Sequence, residues 1–162
     1  MNDAILRREL VALLETRGAH MPFEEAVADF PDDAINARPP NVRYTPWHLV
    51  EHLRLVQADL LDYVTNRDYV GVPWPEGVWP PPDATATREQ FDASVAGFLA
   101  DRDALRRIIE DPATDPFAAV PSSSRHTIAR EIRLAGDHCA YHVGEFAILR
   151  QVMGTWPPGH GE

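Results

Sequence analysis

The sequence predicts an all-α fold, a four-helix bundle whose helices are joined by long proline-rich crossover loops. Apolar residues recur every three or four positions in four separate segments, which is typical of helices with one buried face. No segment alternates apolar and polar residues over a useful strand length. Most of the 15 prolines fall between the helical segments, where they interrupt regular structure. A chain of 162 residues fits one domain, so we expect a single helical domain over 1–162.

The first part of the chain predicts one main helix and one short one. Residues 4–16 combine apolar and charged positions with helical spacing, and Arg17-Gly18 supplies a stop. A short helical piece follows over about 22–30. The segment 30–46 is rich in proline and turn residues, and we expect it to be a loop.

The second main helix has a clear start and is followed by an irregular connection. Thr45 is a candidate N-cap, and Pro46 occupies the first helical position, where a missing N–H costs nothing. The helix continues to about residue 64, with apolar residues at 49, 53, 56, 60 and 64. Residues 67–86 contain five prolines, two glycines and two tryptophans, which excludes regular helix or central strand. The tryptophans favour an ordered loop that packs on the bundle or roofs a cavity.

The last two helices are predicted from a capping pattern and from a terminal glycine. Thr87 and Gln90 have the spacing of a capping box and open a helix over about 88–110. A second loop over 111–124 leads to a helix over about 124–153. Gly154 ends this helix before a proline-rich tail.

Composition excludes several classes of function. The net charge is −10, and all 15 basic residues are arginine. There is therefore no P-loop lysine for nucleotide phosphates and no lysine for a Schiff base, and nucleic-acid binding is disfavoured. The single cysteine cannot form an internal disulfide, and no apolar stretch approaches the roughly 20 residues that span a bilayer. The charged N-terminal segment does not resemble a signal peptide, so we expect a cytoplasmic protein without a membrane partner.

A pair of histidines on the last helix is the most informative feature. His138 and His142 are four residues apart, so both rings point the same way, and His142 falls within the apolar stripe. Metal sites on helices use this spacing. A buried histidine is also commonly satisfied by a carbonyl or a carboxylate, and this pair alone leaves the two interpretations equally open.

A third histidine would favour a metal, because an open zinc-type site uses three protein ligands. The second main helix offers His48 and His52, and neither is centred on its apolar stripe. His52 is slightly the better candidate, and we expect His48 to lie on the surface. The remaining histidines fall in turns or the tail and are expected to be solvated: His20, His126 and His160.

Three segments resemble the DinB-like (DinB/YfiT) superfamily of helical-bundle proteins described as metal-dependent enzymes. They are TPWHLVEHLRLVQADLLDYV, GVPWPEGVWPPPDATAT and AGDHCAYHVGEFAILRQVMGTWP, within a resemblance that covers about residues 13–157. The most specific motifs are W-x4-H-L and H-x3-H-x-G-x5-R. The resemblance implies that His52, His138 and His142 hold one divalent metal, zinc or nickel. It also implies a thiol-dependent transferase or isomerase, with a low-molecular-weight bacterial thiol as co-substrate.

Carboxylates near these histidines on the helical wheel are candidates for a general base or for orienting a ligand. For Glu131 the sequence leaves two interpretations equally open, such a role and a position on the surface. Glu145 and Asp59 are expected to be surface acids. Cys139 points into the apolar stripe and is interpreted as a buried small apolar residue. We expect Arg150 to pair with an acid.

The tryptophans are interpreted first as packing anchors, although Trp74 and Trp79 are candidates for the wall of a pocket. The sequence as a whole predicts a metal-dependent enzyme of small-molecule metabolism or detoxification, acting by thiol transfer, thiol-dependent isomerisation or hydrolysis. One alternative is a non-catalytic bundle protein that binds a metal or small ligand, for instance in a stress response. Another is a helical interaction module without a metal. A homodimer is expected in each case.

Overall fold

The structure, a computed structural model, describes residues 3–15 and 18–160. Its described part contains five α-helices and one 3-10 turn, and its only β-type pairing is an isolated bridge between Ala119 and Thr127. The elements are α1 (Asp3–Leu14), α2 (Phe23–Val27), the 3-10 turn Asp32–Ala34, α3 (Pro46–Thr65), α4 (Arg88–Glu110) and α5 (Ile128–Met153). The predicted all-α bundle is confirmed.

Two helices begin where the sequence predicts because their caps are local. The Thr45 hydroxyl accepts from the backbone N–H of His48, and the Thr45 N–H donates to Nδ1 of His48, both at 3.2 Å. At the start of α4, Thr87 and Gln90 form the predicted capping box. Each box satisfies donors that the first helical turn leaves unpaired.

Other helix boundaries differ from the prediction. The predicted first helix extends to Thr16, which lies outside the described residues, and α1 ends at Leu14. The short helix is only five residues long, because Ala28 turns to an extended conformation and Asp29 adopts a positive φ of 50°. Helix α5 begins at Ile128 and not at residue 124. The residues just before it pair with the preceding loop, where the Val120 N–H donates to the His126 carbonyl at 3.0 Å.

The four long helices pack around a core with two parts. Helix α3 packs against α4 and α5, α1 also packs against α4 and α5, and α2 covers part of α5. The first part is rich in aromatic rings and contains Phe23, Phe30, Phe91, Phe98 and Phe146. The second is aliphatic and contains Leu10, Leu14, Leu60, Leu105, Ile109 and Ile132. Burial of each large side chain stabilises the fold by about 1.5–3 kcal/mol.

Helices α1 and α5 approach each other closely at Gly136. A Cβ atom at this position would lie 2.5 Å from Cγ of Leu13 and 2.9 Å from the Leu13 carbonyl oxygen. Only glycine therefore allows this separation of the two helices.

Arg150 is completely buried, and the prediction that it pairs with an acid is wrong. Its guanidinium donates to the carbonyl oxygens of Ala26, Ala28 and Thr155, at 2.9, 2.7 and 2.7 Å. The same group packs against the rings of Phe30 and Trp156. Arg150 thus ties the end of α5 to α2 and to the residue that follows α2.

The connection between α3 and α4 is irregular, as predicted, and its second half is fixed to the bundle. Nε2 of His48 donates to the Ala84 carbonyl at 3.0 Å. The side-chain amide of Asn36 bonds both the carbonyl and the N–H of Ala86. Val78, in the same connection, is also buried. Within the described part of the chain, no helix has the length and apolar character needed to cross a membrane.

Candidate metal centre

Three imidazole rings from two helices converge on one point inside the bundle. Nε2 of His52, on α3, lies 3.1 Å from Nε2 of His142 and 3.1 Å from Nε2 of His138, both on α5. The ligand atoms of the three residues all lie within 4.8 Å of one another. Zinc–nitrogen bonds of about 2.0–2.1 Å in tetrahedral geometry separate ligand nitrogens by about 3.3 Å, so this spacing fits a metal ion.

The packing of α3 on α5 brings the rings together. Apolar side chains of both helices are buried beside the histidines and fix the helix pair: Leu49, Leu53, Cys139 and Val143. On α5 the spacing of four residues stacks His138 and His142 on one face, with ring centroids 4.5 Å apart. His52 faces both rings from the opposite helix.

The crossover loop fixes the orientation of His52. Nδ1 of His52 lies 2.6 Å from the carbonyl oxygen of Val78. Because a carbonyl only accepts hydrogen bonds, Nδ1 carries the hydrogen and the lone pair of Nε2 points into the site. The indole of Trp79 stacks face to face on the His52 ring, with centroids 3.8 Å apart and planes 7° from parallel.

His142 is fixed in the same way by a carboxylate. Nδ1 of His142 lies 2.6 Å from Oε2 of Glu145, so Nδ1 donates and Nε2 is free for a metal. The expectation that Glu145 is a surface acid is therefore wrong. Tyr44 and Tyr141 also lie against this carboxylate, and Tyr44 packs on Trp79. The three-residue spacing between His142 and Glu145 was a usable sequence signal.

The site keeps its imidazoles neutral. Burial, together with the neighbouring rings of His142 and His52, lowers the pKa of His138 to about 3. Burial and His52 lower the pKa of His142 to about 4, and burial lowers that of His52. At neutral pH the lone pairs of His52 and His142 thus face each other at 3.1 Å with no hydrogen between them. A cation between the two nitrogens removes this repulsion, so the residues present fit a divalent metal.

His48 cannot join this site because both of its ring nitrogens are occupied. Nδ1 accepts from the N–H of Thr45, and Nε2 donates to the carbonyl of Ala84. Its exposed fraction is 2%, so the prediction of a surface position is wrong. Its position in the capping box and under the loop accounts for its burial.

Glu131 lies in a second polar cluster at the start of α5. Its buried carboxylate pairs with Arg130 at 2.6 Å and lies 3.3 Å from Nδ1 of His126. The Tyr63 hydroxyl approaches the same nitrogen at 3.1 Å, and 38% of the His126 side chain is exposed, so this histidine is partly solvated and also bonded to the protein. Across residues 3–15 and 18–160, no hydrogen bond or ion pair connects Glu131 with the three converging histidines.

The other sequence candidates have different outcomes. Cys139 is buried in the core, as predicted, and burial raises the pKa of its thiol to about 12. Trp79 forms one wall of the site, whereas Trp74 is 74% exposed. Asp59 is half-buried and accepts a hydrogen bond from the Tyr69 hydroxyl at 2.9 Å.

Comparison with known proteins gives one match. A family model described as the DinB superfamily matches residues 15–146, which is most of the chain. No curated protein and no solved structure matches the chain.

Proposed function

Because the chain belongs to the DinB superfamily and its three site histidines converge, we propose that it is a divalent-metal-dependent enzyme of small-molecule metabolism or detoxification. The observation that carries this proposal is the convergence of three Nε2 atoms, two of which direct a lone pair into the site. Two of them are aimed by hydrogen bonds on the opposite ring nitrogen, from Val78 and Glu145. If the histidines only packed between the two helices, no hydrogen bonds would be needed to aim two of their lone pairs at one point.

We propose that His52, His138 and His142 hold a zinc or nickel ion. Neutral imidazoles suit both metals, and three of them leave the full positive charge of the ion in place. Such an ion supplies Lewis acidity, which lowers the pKa of a water or thiol ligand and polarises a carbonyl group. The protein contributes the neutral donors, the orientation of their rings and the cover of Trp79 on the His52 ring.

Thiol transfer is the leading reaction, followed by thiol-dependent isomerisation and metal-assisted hydrolysis. A low-molecular-weight thiol is the proposed co-substrate, because an anionic sulfur is a suitable fourth ligand beside three neutral nitrogens. Tyr141 and Trp79 contact the ring of His142, Tyr44 packs on Trp79, and the three rings give an aromatic rim for an organic substrate. The carboxylate that contacts the site is Glu145, and the contacts of Glu131 give no support for its role as a base.

The first test is metal content. Protein purified without an affinity tag, with zinc or nickel supplied, is compared with the His142→Ala variant and with His160→Ala, an exposed histidine of the tail. We expect about one metal per chain in the wild type and in His160→Ala, and a large loss in His142→Ala. Equal metal contents in all three proteins would refute the site.

The second test separates an enzyme from a binding protein. Low-molecular-weight thiols are screened with electrophilic acceptors, using the metal-free protein as the control. Turnover that requires the metal supports the enzyme. A metal-loaded protein without turnover across the panel favours the non-catalytic binding protein.

We also propose a cytoplasmic homodimer. Tyr141, Ile148 and Val152 are more than half exposed on α5 and give an apolar surface for a second copy. The buried single thiol is compatible with a reducing compartment. Light scattering after size-exclusion chromatography tests the dimer, and a monomer at all concentrations would exclude it.

A further inference from the structure

The three histidines are held unequally, and we infer that His138 is the exchangeable ligand of the centre. In this interpretation His52 and His142 form a fixed pair that retains the metal. A small sulfur or nitrogen donor displaces the ring of His138 when it binds. The inference rests on the proposed function, since it needs a metal in the site.

His52 is the most constrained of the three. Its exposed fraction is 2%, its Nδ1 bonds the Val78 carbonyl, and its face is covered by Trp79. Rotation of this ring out of the site would break the hydrogen bond and the stack together. It would also push against the second half of the crossover loop, which is anchored to α3 through His48.

His142 is constrained by charge as well as by packing. Its exposed fraction is 7%, and its Nδ1 donates to the Glu145 carboxylate at 2.6 Å. The ring of Tyr141 packs edge-on against it, with centroids 4.9 Å apart. A hydrogen bond to a charged acceptor is stronger than one between neutral groups, so this ligand is both oriented and made more basic.

His138 has neither kind of support. The ring of His138 contacts the rings of the other two histidines. His138 is half-buried, whereas His52 and His142 are buried. In the part of the chain that the structure describes, Nδ1 of His138 has no hydrogen-bond partner. Its neighbours on the outer face of α5, Asp137 and Tyr141, are exposed. The solvent side of the centre is therefore the side of His138.

These differences predict the order in which ligands are lost. A ligand histidine without a partner on its second nitrogen is less basic and less oriented, so less free energy is lost when it leaves the metal. An incoming donor reaches the centre from the solvent side and meets His138 first. The fixed pair keeps the ion in the protein while the third position changes occupant.

The test compares three glycine variants of the full chain: His52→Gly, His138→Gly and His142→Gly. Co²⁺ and Zn²⁺ affinities are measured by competition with a chelator, and Co²⁺ absorption is recorded with and without added imidazole. We expect His138→Gly to lose the least affinity of the three, about 10–100-fold, which is no more than the loss of a group that only orients a ligand costs in metal sites. Imidazole restores its Co²⁺ spectrum. The other two variants should lose at least a further tenfold and should not recover with imidazole.

A second measurement uses the unchanged metal-loaded protein, in case a variant does not fold. Diethyl pyrocarbonate modifies accessible imidazole nitrogens, and tandem mass spectrometry identifies the modified histidine. We expect His138 to react several times faster than His52 and His142. Equal protection of the three, or equal losses of affinity in the three variants, overturns the inference. If the wild type binds none of Co²⁺, Zn²⁺ and Ni²⁺, the proposed function itself fails, which is a distinguishable result.

Discussion

The carbonyl oxygen of Val78 lies 2.6 Å from Nδ1 of His52, so a residue of the crossover loop determines which nitrogen of a helix α3 histidine faces the candidate metal. The next residue, Trp79, stacks on the same ring. The loop is thus part of the candidate centre, and we expect metal binding there and loop docking to stabilise each other by thermodynamic linkage. This relationship gives the first prediction.

Trp79→Ala is expected to weaken Zn²⁺ binding by about tenfold, because the His52 ring loses the surface that orients it. The matched control is Trp74→Ala, on the same loop but 74% exposed, which should leave the affinity unchanged. Chelator competition measures both. Ni²⁺ should also quench tryptophan fluorescence in the wild type and in Trp74→Ala, and much less in Trp79→Phe. Equal quenching in all of these proteins would contradict the assignment.

The Glu145 carboxylate orients His142, the second buried histidine of the candidate centre. Glu145→Gln removes the negative acceptor on Nδ1 of His142, and we expect Zn²⁺ affinity to fall by about 10–100-fold. Asp59→Asn is the control, since Asp59 is a half-buried acid that contacts Tyr69 and not the centre. An affinity in Glu145→Gln equal to that of the control would show that the 2.6 Å contact does not act on the metal.

Glu131 is expected to stabilise the fold and not to act at the metal. Glu131→Gln weakens its charged contacts with Arg130 and His126, and we expect a loss of about 1–3 kcal/mol in the free energy of unfolding. Metal affinity and metal-dependent activity should stay at the wild-type level. Denaturant unfolding and chelator competition on the same sample measure both quantities. Loss of activity with retained stability and metal would restore Glu131 as a candidate general base.

Local patterns in the sequence were enough to predict most of the helices and to single out His138 and His142, whereas the choice of His52 over His48 came from the resemblance to the DinB-like superfamily. The caps at Thr45 and Thr87 depend on residues only three positions away, so the starts of α3 and α4 could be read directly. The start of α5 could not be read in this way, because the bridge between Ala119 and Thr127 is a contact across a loop. Its formation delays the helix until Ile128.

The surroundings of the histidines were less predictable than the histidines themselves. A helical wheel places Glu145 near His142, but it does not show that Tyr44, from a segment before α3, covers that side of α5. The bond between Val78 and His52 joins residues 26 positions apart and has no sequence signature. The same limit applies to His48, whose burial depends on the loop carbonyl of Ala84.

The pH dependence of the metal-free protein should report the buried imidazoles. The pKa of His138 is about 3 and that of His142 about 4 in the folded protein, against 6.5 as their ordinary value. At pH values between the pKa values of the folded protein and the ordinary value, the unfolded chain binds more protons than the folded one. The free energy of unfolding therefore falls as the pH falls. We expect the melting temperature to decrease steadily from about pH 6.5 towards pH 4, in the window that these pKa values set.

The control for this dependence is His138→Gln, which removes one of the two strongly shifted groups. Its melting temperature should fall less steeply over the same pH window, whereas His160→Ala should follow the wild type. Thermal unfolding followed by circular dichroism, with chelator present throughout, measures all three. Parallel curves for wild type and His138→Gln would mean that His138 titrates normally in the folded protein.

Two glycines of α5 allow a matched test of helix packing. At Gly136 a Cβ would meet Cγ of Leu13 at 2.5 Å and the Leu13 carbonyl oxygen at 2.9 Å, whereas at Gly144 it would meet nothing within 4 Å. Gly136→Ala must therefore push α1 away from α5, and we expect it to destabilise the protein by about 1–3 kcal/mol. Gly144→Ala gains helix propensity without a clash and should stabilise it by about 0.5–1 kcal/mol.

Chemical denaturation measures the free energy of unfolding of the two alanine variants. Because this free energy is expected to fall in Gly136→Ala and to rise in Gly144→Ala, a general effect of alanine in α5 would not account for both results. A neutral or stabilising Gly136→Ala would mean that α1 can move without loss, and that the close contact with Leu13 does not hold the helix pair. The metal affinity of Gly136→Ala gives a further check. Leu13 and Gly136 lie in the packing of α1 on α5, and the centre lies between α3 and α5, so the affinity should change little while the stability falls.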